Sequence, residues 1–114
     1  MTDCLFCAIV AGDIPAEIVF QDDQVLAFRD ISPQAPTHVL IIPKRHIATL
    51  NDLTEADNAL LGQMHLTAAN IAKQAGIAEA GYRVAMNCNA AGGQTVFHIH
   101  LHLLGGRAMA WPPG

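Results

Sequence analysis

The sequence predicts an α+β fold in which an antiparallel sheet of about five strands packs against one long helix. Two patterns lead to this prediction. Short apolar segments with β-branched residues recur along the chain, and most of them are separated by connections too short for a parallel crossover. One longer segment, between the third and the fourth of them, repeats its apolar residues at helical spacing. We therefore expect the order ββ-β-α-ββ, with the helix on one face of the sheet.

The first half of the chain is predicted to form a short helix and three strands. Leu5–Ala11 has the length and composition of a short helix that ends at the glycine following it. Glu17–Gln21 and Val25–Arg29 form a hairpin, because a polar turn separates two apolar segments. After a loop with two prolines at Ile31–Pro36, the β-branched run His38–Ile42 predicts a central strand.

The second half of the chain is predicted to contain the long helix and the last two strands. Thr54 is expected to cap the N-terminus of the helix, and Lys73 and Gly76 mark its end. The segments Tyr82–Asn87 and Phe97–Leu104 follow as strands of the same sheet.

The chain is acidic and carries few charges for its size. No repeat or linker interrupts it, so we expect one domain over residues 1–114. Six Lys and Arg against ten Asp and Glu give a net charge of −4. This argues against a nucleic-acid partner, which needs a basic face. Charged residues make up only 14% of the chain, against about 25% in an average soluble domain. We therefore expect a homodimer that covers part of the apolar surface.

The sequence also predicts a soluble cytoplasmic protein without a membrane partner. The first residues contain an acid and no Lys or Arg before the apolar stretch, unlike a secretion signal. The long stretch between Arg83 and Arg107 carries three histidines and two glycine pairs, which a lipid-facing helix would not tolerate. The odd number of cysteines, three, favours a reducing compartment over a disulfide framework.

Three histidines alternate with apolar residues near the C-terminus. In a strand, the side chains of His98, His100 and His102 would share one face, opposite those of Ile99, Leu101 and Leu103. Three interpretations are open at this point. The segment is a half-exposed strand that carries histidines by chance, a catalytic zinc site, or a neutral imidazole that attacks phosphorus.

The loop before these histidines favours the third interpretation. Asn87–Thr95 contains paired glycines and polar side chains, and such a loop lets main-chain N–H groups approach an anion closely. No cluster of carboxylates for Mg²⁺ lies nearby in the sequence. We therefore expect phosphoryl chemistry that requires no catalytic cofactor.

Several motifs together resemble a known family. The pattern His-φ-His-φ-His-φ-φ, with φ apolar, is the signature of the histidine triad (HIT) superfamily. The segments that resemble its Hint branch, the histidine triad nucleotide-binding proteins, are Asp30–His38, Gly92–Thr95, Gly105–Arg107 and Trp111–Gly114. The resemblance extends from about Leu5 to Gly114 and implies that the whole chain is one HIT domain.

The resemblance implies a homodimeric purine nucleoside phosphoramidase that cleaves the P–N bond of AMP or GMP conjugated to an amine. His100 would be the nucleophile and would form a nucleotidyl-histidine that water resolves. His38 and His102 would orient and polarise it, and a proton would reach the amine through Thr95 or a neighbouring imidazole. Two departures are visible: Thr95 replaces the usual serine, and Arg29 stands where a histidine is often found beside the base.

The resemblance also implies the residues that bind the nucleotide. They are Phe6, Ile9, Phe28 and Ile31 around the base, Asp30 at the ribose hydroxyls, and Asn87, Gly93, Thr95 and His98 at the α-phosphate, with Gln94 in the same loop and with His100 and His102. The apolar members of this set are equally consistent with ordinary core packing.

The N-terminal Cys4-Leu5-Phe6-Cys7 has the two-residue spacing of a zinc knuckle. A zinc site needs two further ligands, for which His46 and His98 are the candidates. Some bacterial members of the superfamily resemble this sequence in the cysteine pair and bind structural zinc through such a set. The alternative is two half-buried thiols on a short helix; a redox pair is disfavoured because no strand precedes it.

Three other functions compete with the phosphoramidase. A purine-nucleotide sensor would bind AMP without cleaving it and would act through a protein partner. A diadenosine polyphosphate hydrolase would share the histidines, but that branch lacks the Trp-Pro-Pro-Gly ending. A metal-dependent hydrolase would use the histidines as ligands, yet carboxylates that such sites commonly recruit are missing beside them.

Overall fold

The computed structural model describes residues 3–114, which form a five-stranded sheet with a helix on each face. Its elements are α1 (Leu5–Val10), β1 (Ile18–Gln21), β2 (Val25–Arg29), β3 (Thr37–Pro43), α2 (Asn58–Gln74), β4 (Tyr82–Ala85) and β5 (Leu101–Gly105). The strand order is β1-β2-β3-β5-β4, and each neighbouring pair is antiparallel. The predicted α+β class is confirmed.

The two faces of the sheet carry separate apolar cores because side chains alternate along each strand. The core under α2 contains Val25, Ala27, Val39, Ile41, Leu101 and Leu103 from the strands and Met64, Ala68, Ile71 and Ala72 from the helix. On the other face, Leu40 and Ile42 of β3 pack with Phe6 of α1. By the same alternation, His38 of β3 and His102 of β5 lie on the α1 face.

The last two strands are shorter than the sequence pattern predicts. The predicted bounds Tyr82–Asn87 and Phe97–Leu104 are wrong: β4 is Tyr82–Ala85 and β5 is Leu101–Gly105. The pairing of β5 with β3 begins only at Leu101. The remaining helix and strand ends agree with the prediction to within one residue, except at the start of α2.

The segment before β5 pairs with the loop after β3 instead of with a strand. The main-chain N–H of Ile99 donates to the carbonyl of Ile47 at 2.8 Å. The ring of His98 donates to the carbonyl of Pro43 at 2.7 Å, and this proline has no N–H with which to extend a ladder. The prediction that His98 and His100 lie in a strand is therefore wrong, although Ile99 is buried as predicted.

The long helix starts later than predicted. Thr54 caps a single 3₁₀ turn, Glu55–Asp57, in which the Asp57 carboxylate accepts from the Thr54 main-chain N–H at 3.0 Å. The α-helix itself begins at Asn58, so Asp57 takes the capping position that was expected for Thr54. Among residues 3–114, no helix combines the length and the apolar character needed to cross a bilayer.

Candidate active site and metal centre

A cleft of about 290 Å³ opens on the α1 face of the sheet. Eight of the residues predicted to act on a nucleotide line it: Phe6, Ile9, Phe28, Asp30, Ile31, Thr95, His100 and His102. Phe6 and Phe28 are buried and meet edge to face, with ring centroids 5.5 Å apart. Ile31 is 97% exposed, so this part of the lining is open to a ligand.

His100 is buried, and its hydrogen bonding fixes which ring nitrogen carries the proton. Nδ1 lies 2.8 Å from the carbonyl oxygen of His98. Because a carbonyl can only accept, Nδ1 carries the proton and donates it. The lone pair of the neutral ring is therefore on Nε2. The ring of Phe6 meets that of His100 nearly perpendicularly, at 87° and a centroid distance of 5.1 Å, and holds its tilt.

His38 and His102 complete a contiguous group of imidazoles. His38 Nε2 lies 2.9 Å from His102 Nδ1 and 3.4 Å from an oxygen of Asp30. The main-chain N–H of Gln34 donates to His38 Nδ1 at 3.0 Å. The rings of His100 and His102 have centroids 5.0 Å apart. The fold thus brings together the three histidines predicted to be catalytic.

All three imidazoles are neutral near pH 7, because burial lowers their pKa values. Burial lowers the pKa of His100, although its bond to the His98 carbonyl opposes the shift. The pKa of His102 falls to about 4, chiefly through burial and secondarily through His100 and His38. Burial also lowers the pKa of His38, against the opposing charge of Asp30. A neutral imidazole has the lone pair that a nucleophile needs.

The side chain of Gln94 stabilises the glycine-rich loop Asn87–Thr95. The Gln94 side chain is buried, its oxygen accepts from the Asn89 main-chain N–H at 2.8 Å, and its nitrogen donates to two main-chain carbonyls. Gly93 has φ of +83°, which glycine adopts without strain. Among the described residues of this loop, Thr95 lines the cleft, whereas Asn87, Gly93 and Gln94 lie outside its lining.

A second cluster brings together Cys4, Cys7, His46 and His98, the four predicted zinc ligands. The Cys4 and Cys7 sulfurs lie 3.2 and 3.5 Å from His98 Nδ1, and the two histidine Nδ1 atoms are 3.3 Å apart. Ligands of tetrahedral zinc are separated by about 3.6 Å for sulfur and nitrogen and about 3.3 Å for two nitrogens, from the usual bond lengths. The donor set and its spacing therefore fit zinc.

A hydrogen bond to the main chain leaves His98 with a ring nitrogen that can bind zinc. Its Nε2 donates to the Pro43 carbonyl, so in the neutral ring Nδ1 bears the lone pair, and Nδ1 is the atom that faces the cysteines. Cys4 also caps α1, because its sulfur accepts from the Cys7 main-chain N–H at 3.2 Å. Sequence reasoning gave His98 two roles, phosphate binding and metal ligation. Its Nε2 is bonded to the Pro43 carbonyl and its Nδ1 faces the two cysteines, which favours the metal role.

The HIT domain family matches residues 11–109 of this chain. The chain belongs to the HIT family. Over 107 residues it is 57% identical to the purine nucleoside phosphoramidase of Escherichia coli K12, covering 94% of this chain and 90% of that protein. The predicted superfamily is thereby confirmed.

Solved structures of HIT proteins share the fold along almost the whole chain. A HIT family hydrolase from Legionella pneumophila matches with a TM-score of 0.97 and 59% identity, over 98% of this chain and all of that one. A Zn-bound histidine triad family protein from Mycobacterium smegmatis matches with 0.80 and 35%, over 98% and 80%. A histidine triad nucleotide-binding protein from Candida albicans matches with 0.82 and 31%, over 98% and 85%.

Arg29, the second departure noted in the sequence of this HIT protein, is among the residues that line the cleft. Strand alternation places its side chain on the α2 face, opposite that of Phe28. Its Nε donates to a carboxylate oxygen of Glu17 at 2.7 Å, and it borders a separate groove against α2. Its side chain therefore does not contribute to the apolar wall formed by Phe6 and Phe28.

Sequence reasoning missed two kinds of functional group in this HIT protein. The cleft lining includes Leu5, Ile14, Pro15, Ala16, Leu40 and Val96, none of which had been predicted. Three residues separate Ile14–Ala16 from the end of α1, and their proximity to Phe6 in the chain was the available signal. The main-chain groups of Gln34 and Pro43, which contact histidine rings, leave no signal in residue type.

Proposed function

We propose that this HIT protein hydrolyses the P–N bond of purine nucleoside phosphoramidates and releases AMP or GMP and an amine. The observation that carries the proposal is the Nε2 lone pair of neutral His100, in a ring that lines an apolar cleft. The Escherichia coli relative with the corresponding activity in its name supports the substrate class. The similarity to a histidine triad nucleotide-binding protein supports membership of the Hint branch.

The reaction proceeds in two displacements at phosphorus. The lone pair of His100 Nε2 attacks, an Nε2–P bond forms, and the P–N bond breaks with its electron pair leaving on the amine. The amine gains a proton that water supplies through the hydroxyl of Thr95, or through His102 if that ring takes up one proton as it gives up another; both side chains line the cleft. Water then attacks phosphorus and loses a proton to the solvent, the Nε2–P bond breaks with its electron pair returning to His100, and the nucleotide is released.

The cleft binds the nucleotide through an apolar wall and a polar end. Phe6, Ile9, Phe28 and Ile31 surround the base, and Asp30 accepts from the ribose hydroxyls. Thr95, which lines the cleft, meets the phosphate oxygens, whereas the loop residues Asn87, Gly93 and Gln94 lie outside the lining and hold Thr95 in place. The positions of Phe6, Asp30 and Thr95 around one cleft support this arrangement.

Steady-state hydrolysis of adenosine 5′-phosphoramidate tests the proposal. We expect His100→Ala to lower kcat by at least about a thousandfold, because the nucleophile is lost. AMP should still bind. The matched control is His65→Ala, at an exposed position of α2, where the ring bonds to the Leu61 carbonyl of its own helix. Normal turnover by His100→Ala would contradict the proposal.

The same assay separates the competing functions. A nucleotide sensor would bind AMP but release no amine above background. A diadenosine polyphosphate hydrolase would cleave diadenosine tetraphosphate faster than the phosphoramidate. A metal-dependent hydrolase would lose turnover on chelation and regain it with Zn²⁺.

We further propose that the cluster of Cys4, Cys7, His46 and His98 binds structural zinc. Bound zinc would crosslink α1, the loop after β3 and the segment before β5, with four protein ligands and no open position for chemistry. The short distances between the four ligand atoms support this role. No catalytic cofactor is needed, because the attacking group and the proton donors are all side chains of the chain.

A homodimeric, cytoplasmic, single-domain protein is the remaining part of the proposal. β4 is an edge strand, and an edge left with unpaired main-chain groups favours association with a second copy. Trp111 is 83% exposed, which also suits a covering partner. A cysteine pair that binds metal favours a reducing compartment. Light scattering should give twice the mass of the chain, and a monomer would contradict the dimer.

A further inference from the structure

One main-chain N–H determines which ring nitrogens of His38 and His102 donate and which accept hydrogen bonds. The N–H of Gln34 points at His38 Nδ1 from 3.0 Å. An amide N–H can only donate, so His38 Nδ1 is an acceptor and the proton of the neutral ring is on Nε2. That Nε2–H faces His102 Nδ1 at 2.9 Å and an oxygen of Asp30 at 3.4 Å. His102 Nδ1 is therefore also an acceptor, and the proton of His102 is on its Nε2.

We propose that the main-chain amide of Gln34 is a positioning group for catalysis, which makes His102 present an N–H and not a lone pair to the cleft. The role in turnover rests on the proposed function, whereas the tautomers do not. His100 and His102 then have complementary roles: a lone pair on Nε2 for attack and an N–H on Nε2 for a phosphate oxygen or the amine. The opposite tautomer of His102 would place a second lone pair where negative charge develops.

The loop that carries this amide is held by the segment after β5. Arg107 Nε donates to the carbonyl oxygen of Gln34 at 3.0 Å. Gly106 has φ of +89°, and a Cβ added there would lie 2.8 Å from Pro36 Cβ. The chain after β5 therefore packs closely against the loop just after the Gln34 N–H, at the Gln34 carbonyl and at Pro36. Arg107, which does not line the cleft, acts on the histidines only through this loop.

The amide is also stabilised within its own loop. The Gln34 side chain donates to the Ser32 carbonyl at 2.9 Å, and the Ser32 N–H donates to Asp30 Oδ1 at 2.8 Å. Asp30 therefore has one oxygen held by the loop and the other directed at His38. These contacts place the amide, Asp30 and His38 in one hydrogen-bonded unit.

The test compares Gln34→Pro, which removes the N–H, with Gln34→Ala, which keeps it and removes only the side-chain bond. Long-range ¹H–¹⁵N spectra of labelled protein distinguish Nδ1–H from Nε2–H imidazoles. We expect single Nε2–H tautomers for His38 and His102 in the wild type and in Gln34→Ala. Gln34→Pro should show mixed tautomers at both rings and a kcat about tenfold below that of Gln34→Ala, with AMP affinity within about threefold.

Unmixed tautomers and the kcat of Gln34→Ala in a folded Gln34→Pro protein would overturn the proposal. Should Gln34→Pro fail to fold, Arg107→Met decides, because it loosens the amide without removing it. It should show partial mixing at His38, and unchanged tautomers there would reject the proposal. A wild type with the expected tautomers but no turnover of the phosphoramidate would reject the proposed function and leave the tautomer assignment standing.

Discussion

Two histidine clusters lie on the same face of the sheet, and their main-chain partners differ in kind. At His98, a carbonyl accepts from Nε2 and leaves a lone pair on Nδ1, beside two cysteine sulfurs. At His38, an amide donates to Nδ1 and leaves an N–H on Nε2, beside His102. A nitrogen that carries a proton cannot bind a metal, so residue type alone does not decide what an imidazole does.

This contrast distinguishes two clusters that both contain side chains able to bind a metal. Asp30, His38 and His102 place ligand-type atoms within 4.8 Å of one another, as the cysteine-containing cluster does. The Gln34 amide keeps the proton on the nitrogen of His38 that faces the other two. The first group is thereby suited to hydrogen bonding and proton transfer, and the second to metal ligation.

The largest expected effect comes from breaking the cysteine-containing cluster. Cys4→Ser should lower zinc affinity by about a hundredfold or more, because a thiolate ligand is lost while the serine hydroxyl can still cap α1. Zinc content after dialysis against a weak chelator measures it. Cys88→Ser, at a cysteine outside the cluster, is the matched control and should retain zinc. Equal zinc content in Cys4→Ser and the wild type would contradict the metal assignment.

A smaller effect is expected from the half-buried imidazole of His102 in the other cluster. The pKa of His102 is lowered to about 4 in the folded protein, so between pH 6.5 and 4 the unfolded chain binds more protons. The free energy of unfolding should therefore be unaffected by this ring above pH 6.5 and decrease as the pH falls towards 4. We expect a contribution of about 1–2 kcal/mol over that range.

Urea denaturation of the wild type and His102→Gln at pH 7 and pH 4.5 isolates this contribution. The wild type should lose more stability than the variant between the two pH values. His65→Gln, which keeps His102, should follow the wild type. Parallel losses in the wild type and His102→Gln would show that the pKa of His102 is not lowered in the folded state.

The periodicity of apolar residues in the sequence was sufficient to predict the sheet and the residues that face each core. The strand β2 has the predicted bounds, and Leu101 and Leu103 are buried under α2 as alternation requires. The triad was also visible, because His100 and His102 are close in the chain and His38 lies in a neighbouring strand. These features depend on local pattern and on pairing between strands, both of which residue type reflects.

The remaining features depend on contacts between loops that are far apart in the sequence. β5 begins later than its apolar pattern suggests, because the main chain at Ile99 bonds to the loop after β3. The ring nitrogen that carries the proton is set at His98 by the Pro43 carbonyl and at His38 by the Gln34 N–H. Every residue type has such a carbonyl and every type except proline has such an N–H, so residue type does not reveal these contacts. Such contacts follow from the path of the chain, which periodicity does not specify.

In the proposed function, His100 attacks phosphorus while His98 holds metal. Rapid quench with adenosine 5′-phosphoramidate, followed by intact-mass and peptide-fragmentation spectra, tests it most directly. We expect a nucleotidyl adduct on His100 alone, absent from His100→Ala, in protein that keeps its zinc. An adduct on His98 or His102, or turnover in which no adduct forms at any quench time, would contradict it.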